Sequence, residues 1–142
     1  MQILPNVWNY EEYRLGEDFI IARPSPRTLV LAGWKLTKKL DDLPSAPGVY
    51  LIHGGGDGLQ DKYLYVGQAK HLRERLSGHP AWKRACLEYP KPAVFYWDFQ
   101  TVTRRELLRY ETYMIVVTNP LWNFGERQET FHAVPSFNGL WD

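Results

Sequence analysis

Gly48-Val49-Tyr50-Leu51-Ile52-His53 and Tyr63-Leu64-Tyr65-Val66-Gly67-Gln68 decide how this chain is read. Both runs are rich in β-branched and aromatic residues, and Gly54-Gly55-Gly56-Asp57-Gly58-Leu59-Gln60-Asp61-Lys62 between them is a glycine-rich turn, so they read as the arms of a loose hairpin. Side chains alternate across a strand. Val49 and Leu51 therefore face away from Tyr50, and Leu64 and Val66 away from Tyr65, which lets the two tyrosines share one face while the aliphatic residues cover a core.

Working outward, His71 to Ser77 and Trp82 to Tyr89 are short helical candidates, with Leu72 and Leu76 forming an inward stripe and Arg75 and His79 one turn apart. Ala93 to Phe99 is the best single strand by composition. Thr103 and Glu106 form a capping box that opens a helix through about Thr118, and Pro120 prevents its continuation. Before the hairpin, Asn9 with Glu12 resembles a helix start that Gly16 would stop. Phe19 to Ala22 and Thr28 to Leu31 are β-prone and flank Arg23-Pro24-Ser25-Pro26-Arg27. Pro44-Ser45-Ala46-Pro47 breaks this pattern. The expectation is one mixed α+β unit, with an N-terminal extension over 1–43 packed on a domain over 44–142.

Composition narrows the function classes. The 142 residues are 44% apolar and 15% aromatic, enough for one well-filled core. Seventeen Lys+Arg against sixteen Asp+Glu give a net charge of +1, so any nucleic-acid contact must come from local clusters rather than an overall field. One cysteine, Cys86, excludes an internal disulfide and a cysteine-rich zinc module, and is expected to be a buried, inert thiol. No stretch approaches the ~18 apolar residues of a membrane span, and the N-terminus lacks a basic segment followed by an apolar run. A cytoplasmic protein without a membrane partner is expected.

Glu111 is the residue that departs from its surroundings. It interrupts the apolar face Leu107, Leu108, Met114 and Ile115 of the last helix, where an unpaired carboxylate would cost several kcal/mol and must find a cation, donors or a metal. Taken alone, it fits a salt bridge to Arg75 or Arg105. Tyr50 and Tyr65 alone are packed aromatics, Arg75 and His79 a solvated helix face, and Asn123 a turn residue. Convergence of all six on one surface would make them a site.

Taken together, Pro47-Gly48-Val49-Tyr50, Tyr65-Val66-Gly67-Gln68-Ala69-Lys70, Leu72, Arg75-Leu76, Glu111 and Pro120-Leu121-Trp122-Asn123 resemble the GIY-YIG nuclease superfamily over about Leu43 to Asn123. His79 adds to the likeness, since a histidine one turn after the arginine recurs in the phage homing-endonuclease branch. Gln68 stands where a lysine, serine or threonine is common. The resemblance implies a small antiparallel three-stranded central sheet flanked by helices, and a divalent-metal-dependent endonuclease acting on DNA. It implies Tyr50, Tyr65, Arg75, His79, Glu111 and Asn123 as candidate catalytic residues, with Glu111 holding one Mg²⁺ or Mn²⁺. Tyr50 is the first choice for the base, helped by positive charge because a phenol of pKa near 10 is scarcely ionised at neutral pH.

Lys70, Arg73, Lys83 and Arg84 are candidates for phosphate contacts, with Arg104, Arg105 and Arg109 as a further basic group. Trp82 and Trp122 could stack on unpaired bases, whereas Trp97 suits a core. One such site cuts one strand, so a double-strand break would need sequential nicks or a homodimer. Two other readings are a nucleic-acid-binding module that keeps the fold without cutting and a nuclease subunit that depends on a partner.

Overall fold

The computed structural model describes residues 24–55 and 62–123. The expected helix near Asn9, the β-prone run Phe19 to Ala22 and the middle of the glycine turn lie outside the described residues.

Helix α1 (Pro26–Ala32) opens the described chain. It is followed by strand β1 (Lys35–Thr37), a single 3₁₀ turn at Leu40–Asp42, and strands β2 (Gly48–His53) and β3 (Tyr63–Ala69). Helices α2 (Leu72–Ser77) and α3 (Pro80–Glu88), strand β4 (Ala93–Asp98) and helix α4 (Arg104–Thr118) complete the order. The sheet is antiparallel throughout, in the order β1-β4-β2-β3. Among the described residues it has four strands rather than the three expected. The additional strand, Lys35-Leu36-Thr37, pairs residue for residue with Tyr96, Phe95 and Val94. Three residues are too few to show a period-2 pattern, so tertiary pairing defines this strand.

The β-prone run Thr28 to Leu31 is helical, which corrects the strand expectation. Ser25 caps the helix by accepting the Thr28 amide at 3.1 Å, Pro26 supplies a pre-set first turn, and Gly33 ends it in the left-handed region at φ 115°. These terminal signals outweigh the strand preference of Thr28 and Val30.

Two apolar layers enclose the sheet. On one face, Val49, Leu51, Val66 and Phe95 pack with Leu29 of α1 and with Leu107, Met114 and Ile115 of α4. On the other, Tyr50, Ile52, Leu64 and Val94 pack with Leu72 and Leu76 of α2 and Ala85 of α3. Tyr50 and Val49 thus oppose each other as alternation requires. Leu64 does not follow its expected side. Ile52 pairs with Tyr65 but His53 with Tyr63, so Leu64 is an extra residue in β3 that turns toward the tyrosine face.

Gly48 permits α2 to approach, since a Cβ there would lie 2.7 Å from Leu72 Cδ1 and 2.5 Å from the Trp97 carbonyl oxygen. The 43–47 segment then fastens α2. Leu72 and Arg73 donate their amides to the carbonyls of Ala46 and Pro44, and Arg73 Nε donates to Leu43 O at 2.8 Å. Cys86 is exposed rather than buried, because Ala85 takes the inward position of α3. Trp97 packs against the core edge-to-face with Trp34. No helix among the described residues is long and apolar enough to cross a membrane.

Candidate active site

Tyr50 lies at the centre of β2 and pairs with Gly67 on β3 and Tyr96 on β4. Gly67 is the residue that admits it. A Cβ at that position would come within 2.4 Å of the Tyr50 phenol oxygen and 2.5 Å of Cζ, so the phenol is laid directly across the Gly67 backbone. Tyr65 emerges on the same face, half-buried, with its ring stacked on Tyr50 at 6.2 Å between centroids. The odd residue count introduced at Leu64 leaves this Tyr50–Tyr65 side of the hairpin undisturbed.

Arg75 and His79 reach the tyrosines from separate elements. Helix α2 ends at Ser77, and His79 is the N-cap of α3 rather than a further turn of the Arg75 helix. His79 Nδ1 accepts the Ala81 amide at 3.0 Å, and the imidazole meets Tyr65 at 4.9 Å and Tyr50 at 5.8 Å, both edge-to-face. The histidine is 4% exposed. Burial, and then the charge of Arg75, push its pKa down to about 4, so the ring is neutral at physiological pH.

Arg75, exposed on α2, hydrogen-bonds the Tyr50 phenol. Burial nevertheless raises the Tyr50 pKa well above 10; Tyr65 and Glu111 add to that rise, and Arg75 opposes it. Glu111, on α4, is 1% exposed between Leu107 and Met114 and close enough for its charge to act on Tyr50. A second phenol, an imidazole, a guanidinium and a buried carboxylate thus gather around the Tyr50 phenol.

Asn123 is placed differently. Its side chain accepts the Val66 amide and donates to the Val66 carbonyl, each at 2.8 Å, while the Leu121 and Trp122 amides bond the carbonyls of Tyr63 and Leu64. Residues 121–123 thereby lie along the outer edge of β3. Asn123 completes the hydrogen bonding of the residue between Tyr65 and Gly67, which is a supporting position.

The basic candidates divide. Lys70 and Lys83 are exposed. Arg73 is engaged with Leu43, and Arg84 pairs with Glu88 at 2.8 Å and stacks over Trp122 at 4.1 Å. Arg104, Arg105 and Arg109 lie exposed along α4. The sequence did not single out Gly67 as a contact residue, because its role depends on the register that puts Tyr50 across from it.

A hard divalent ion suits the carboxylate. The described residues contain no cluster of three His, Cys, Asp or Glu, so the site lacks the ligand set of a closed zinc centre. A single buried carboxylate that leaves the remaining positions to water and substrate oxygens is the donor chemistry Mg²⁺ accepts.

No family model matches the chain. Over 40 residues, 28% of its length, it is 45% identical to Excinuclease cho of Escherichia coli strain K12, and the same figures hold for Excinuclease cho of Shigella flexneri. The matched stretch spans 12% of the length of these relatives.

Proposed function

We propose that this chain is a GIY-YIG-type nuclease that hydrolyses DNA phosphodiester bonds with Mg²⁺ or Mn²⁺ held at Glu111. The observation that carries this reading is the gathering of Tyr65, His79, Arg75 and the buried Glu111 around Tyr50. The local identity to an excinuclease supports it.

When bound, the ion would polarise the scissile phosphate and offset the charge that grows on its oxygens. Glu111 would hold it from a buried position that fixes the carboxylate. Arg75, a strong cation beside the Tyr50 phenol, neutralises phosphoryl charge. Tyr50, buried beneath Tyr65 and His79, scaffolds the pocket. Tyr65, less buried, would orient the attacking water and, as phenolate, take its proton while the scissile P–O bond breaks toward the departing oxygen. Asn123 keeps Tyr65 in place through the Val66 backbone. One centre of this kind nicks one strand, and a full break then takes two events or two protomers.

Nicking of supercoiled plasmid tests the reading. Mg²⁺-dependent conversion to open circles, abolished by EDTA and by Glu111→Gln, is the expected result. Retained DNA binding without cleavage in any divalent ion would replace the nuclease with a binding module.

A further inference from the structure

We propose that His79 is a positioning residue, locked by its cap of α3 as the Nε2–H tautomer, which holds that N–H beside Tyr65 as a donor for negative charge on the phenol and does not shuttle protons. The proposal deepens the nuclease reading and rests on it for its catalytic consequence, but not for the tautomer itself.

The argument begins at Pro80. Proline at the first helical position has no N–H, so the amide nearest the cap that needs an acceptor is that of Ala81, and His79 Nδ1 takes it at 3.0 Å. A nitrogen that accepts from a backbone N–H carries no proton. In a neutral imidazole the proton then resides on Nε2, across the ring. The low pKa of about 4 keeps the ring neutral.

Nε2 is buried and has no hydrogen-bond partner among the described residues. The aromatic rings that meet the imidazole are Tyr65 at 4.9 Å and Tyr50 at 5.8 Å. An N–H against aromatic walls makes only a weak contact. It is therefore a donor held ready for a stronger acceptor, and negative charge on the Tyr65 oxygen provides one. The opposite assignment fails locally. To take a proton on Nε2, neutral His79 would have to carry its own on Nδ1, setting N–H against the N–H of Ala81 and losing the cap.

The test uses the full chain labelled with ¹⁵N in its histidines. The His79 signals are assigned by their loss in His79→Asn. At neutral pH the ring proton is expected to couple to Nε2, and its resonance to shift in Tyr65→Phe. A proton on Nδ1, or a resonance indifferent to Tyr65→Phe, overturns the proposal. Asparagine is itself a good N-cap, so His79→Asn should melt with the wild type while single-turnover cleavage falls on the order of tenfold to a hundredfold. His79→Ala, which loses cap and donor together, should both melt earlier and cut slowly. Wild-type cleavage by His79→Asn also overturns the proposal. A wild-type chain that does not cut any DNA refutes the nuclease reading instead, and the NMR result still decides the tautomer.

Discussion

Replacing Gly67 with alanine places one methyl group where the site has least room. The new Cβ would stand 2.4 Å from the Tyr50 phenol oxygen, 2.5 Å from Cζ and 3.0 Å from Cε2. Ordinary contact between heavy atoms begins near ~3.5 Å, so the phenol must retreat by about 1 Å. Tyr50 is 1% exposed, with Tyr65 stacked on it and His79 against its edge, and has no open side to retreat into. Gly67 needs no left-handed backbone, so packing is the whole penalty. Overpacking of this kind costs about 1–3 kcal/mol. A displacement of that size in the scaffold that positions the reacting groups costs about a hundredfold in rate. Urea unfolding followed by circular dichroism and single-turnover cleavage would measure the two effects. Gly78→Ala is the control, since nothing lies within 4 Å of its Cβ, and it should leave both values unchanged. A Gly67→Ala protein with wild-type stability and wild-type cleavage would refute the placement of Tyr50 across Gly67.

His53 and His79 both have pKa values lowered to about 4 by burial, with Lys62 and Arg75 as the respective second causes. They are neutral when folded and charge near pH 6.5 when unfolded, so stability is present above about pH 6.5 and falls toward pH 4. The slope should approach two protons taken up on unfolding, about 1.4 kcal/mol per pH unit for each, and urea melts across that range check it. Asn123→Asp keeps the acceptor for the Val66 amide but sets a carboxylate oxygen against the Val66 carbonyl. The expected loss is about 1–3 kcal/mol, with slower cleavage and unchanged duplex affinity by fluorescence anisotropy. Thr103→Ala removes the cap of α4 and should cost about 1 kcal/mol in a thermal melt without altering cleavage.

The hairpin and α4 were legible because their signals are local. Alternation along Val49, Tyr50 and Leu51 survives in the structure, and the Thr103–Glu106 capping box forms as written, with Asn119 ending the helix in the left-handed region before Pro120. The bulge at Leu64 was invisible, since an extra residue in one arm is defined only by its partner. Thr28 to Leu31 misled by composition, although Ser25, Pro26 and Gly33 carried the helix boundaries. Strand β1 exists because β4 needs a neighbour for its outer edge, a fact of assembly and not of the Lys35-Leu36-Thr37 sequence. In the candidate site, Tyr50, Tyr65, Arg75, His79 and Glu111 come together from three strand and helix layers. Arg73 bonds the Leu43 carbonyl, and Arg84 pairs with Glu88 and stacks over Trp122. Charge alone does not distinguish an arginine beside Trp122 and Glu88 from one that awaits a phosphate.

The most direct measurement of the central claim is single-turnover cleavage of a defined DNA duplex across a Mg²⁺ titration, comparing the wild type with Glu111→Gln. The glutamine variant keeps the shape of the side chain and removes a buried charge, so it should remain folded and still bind the duplex. The account predicts saturable Mg²⁺-dependent cleavage by the wild type and none above background by Glu111→Gln. Equal cleavage by the two proteins, or cleavage that ignores Mg²⁺, would contradict a metal-assisted nuclease site built on Glu111.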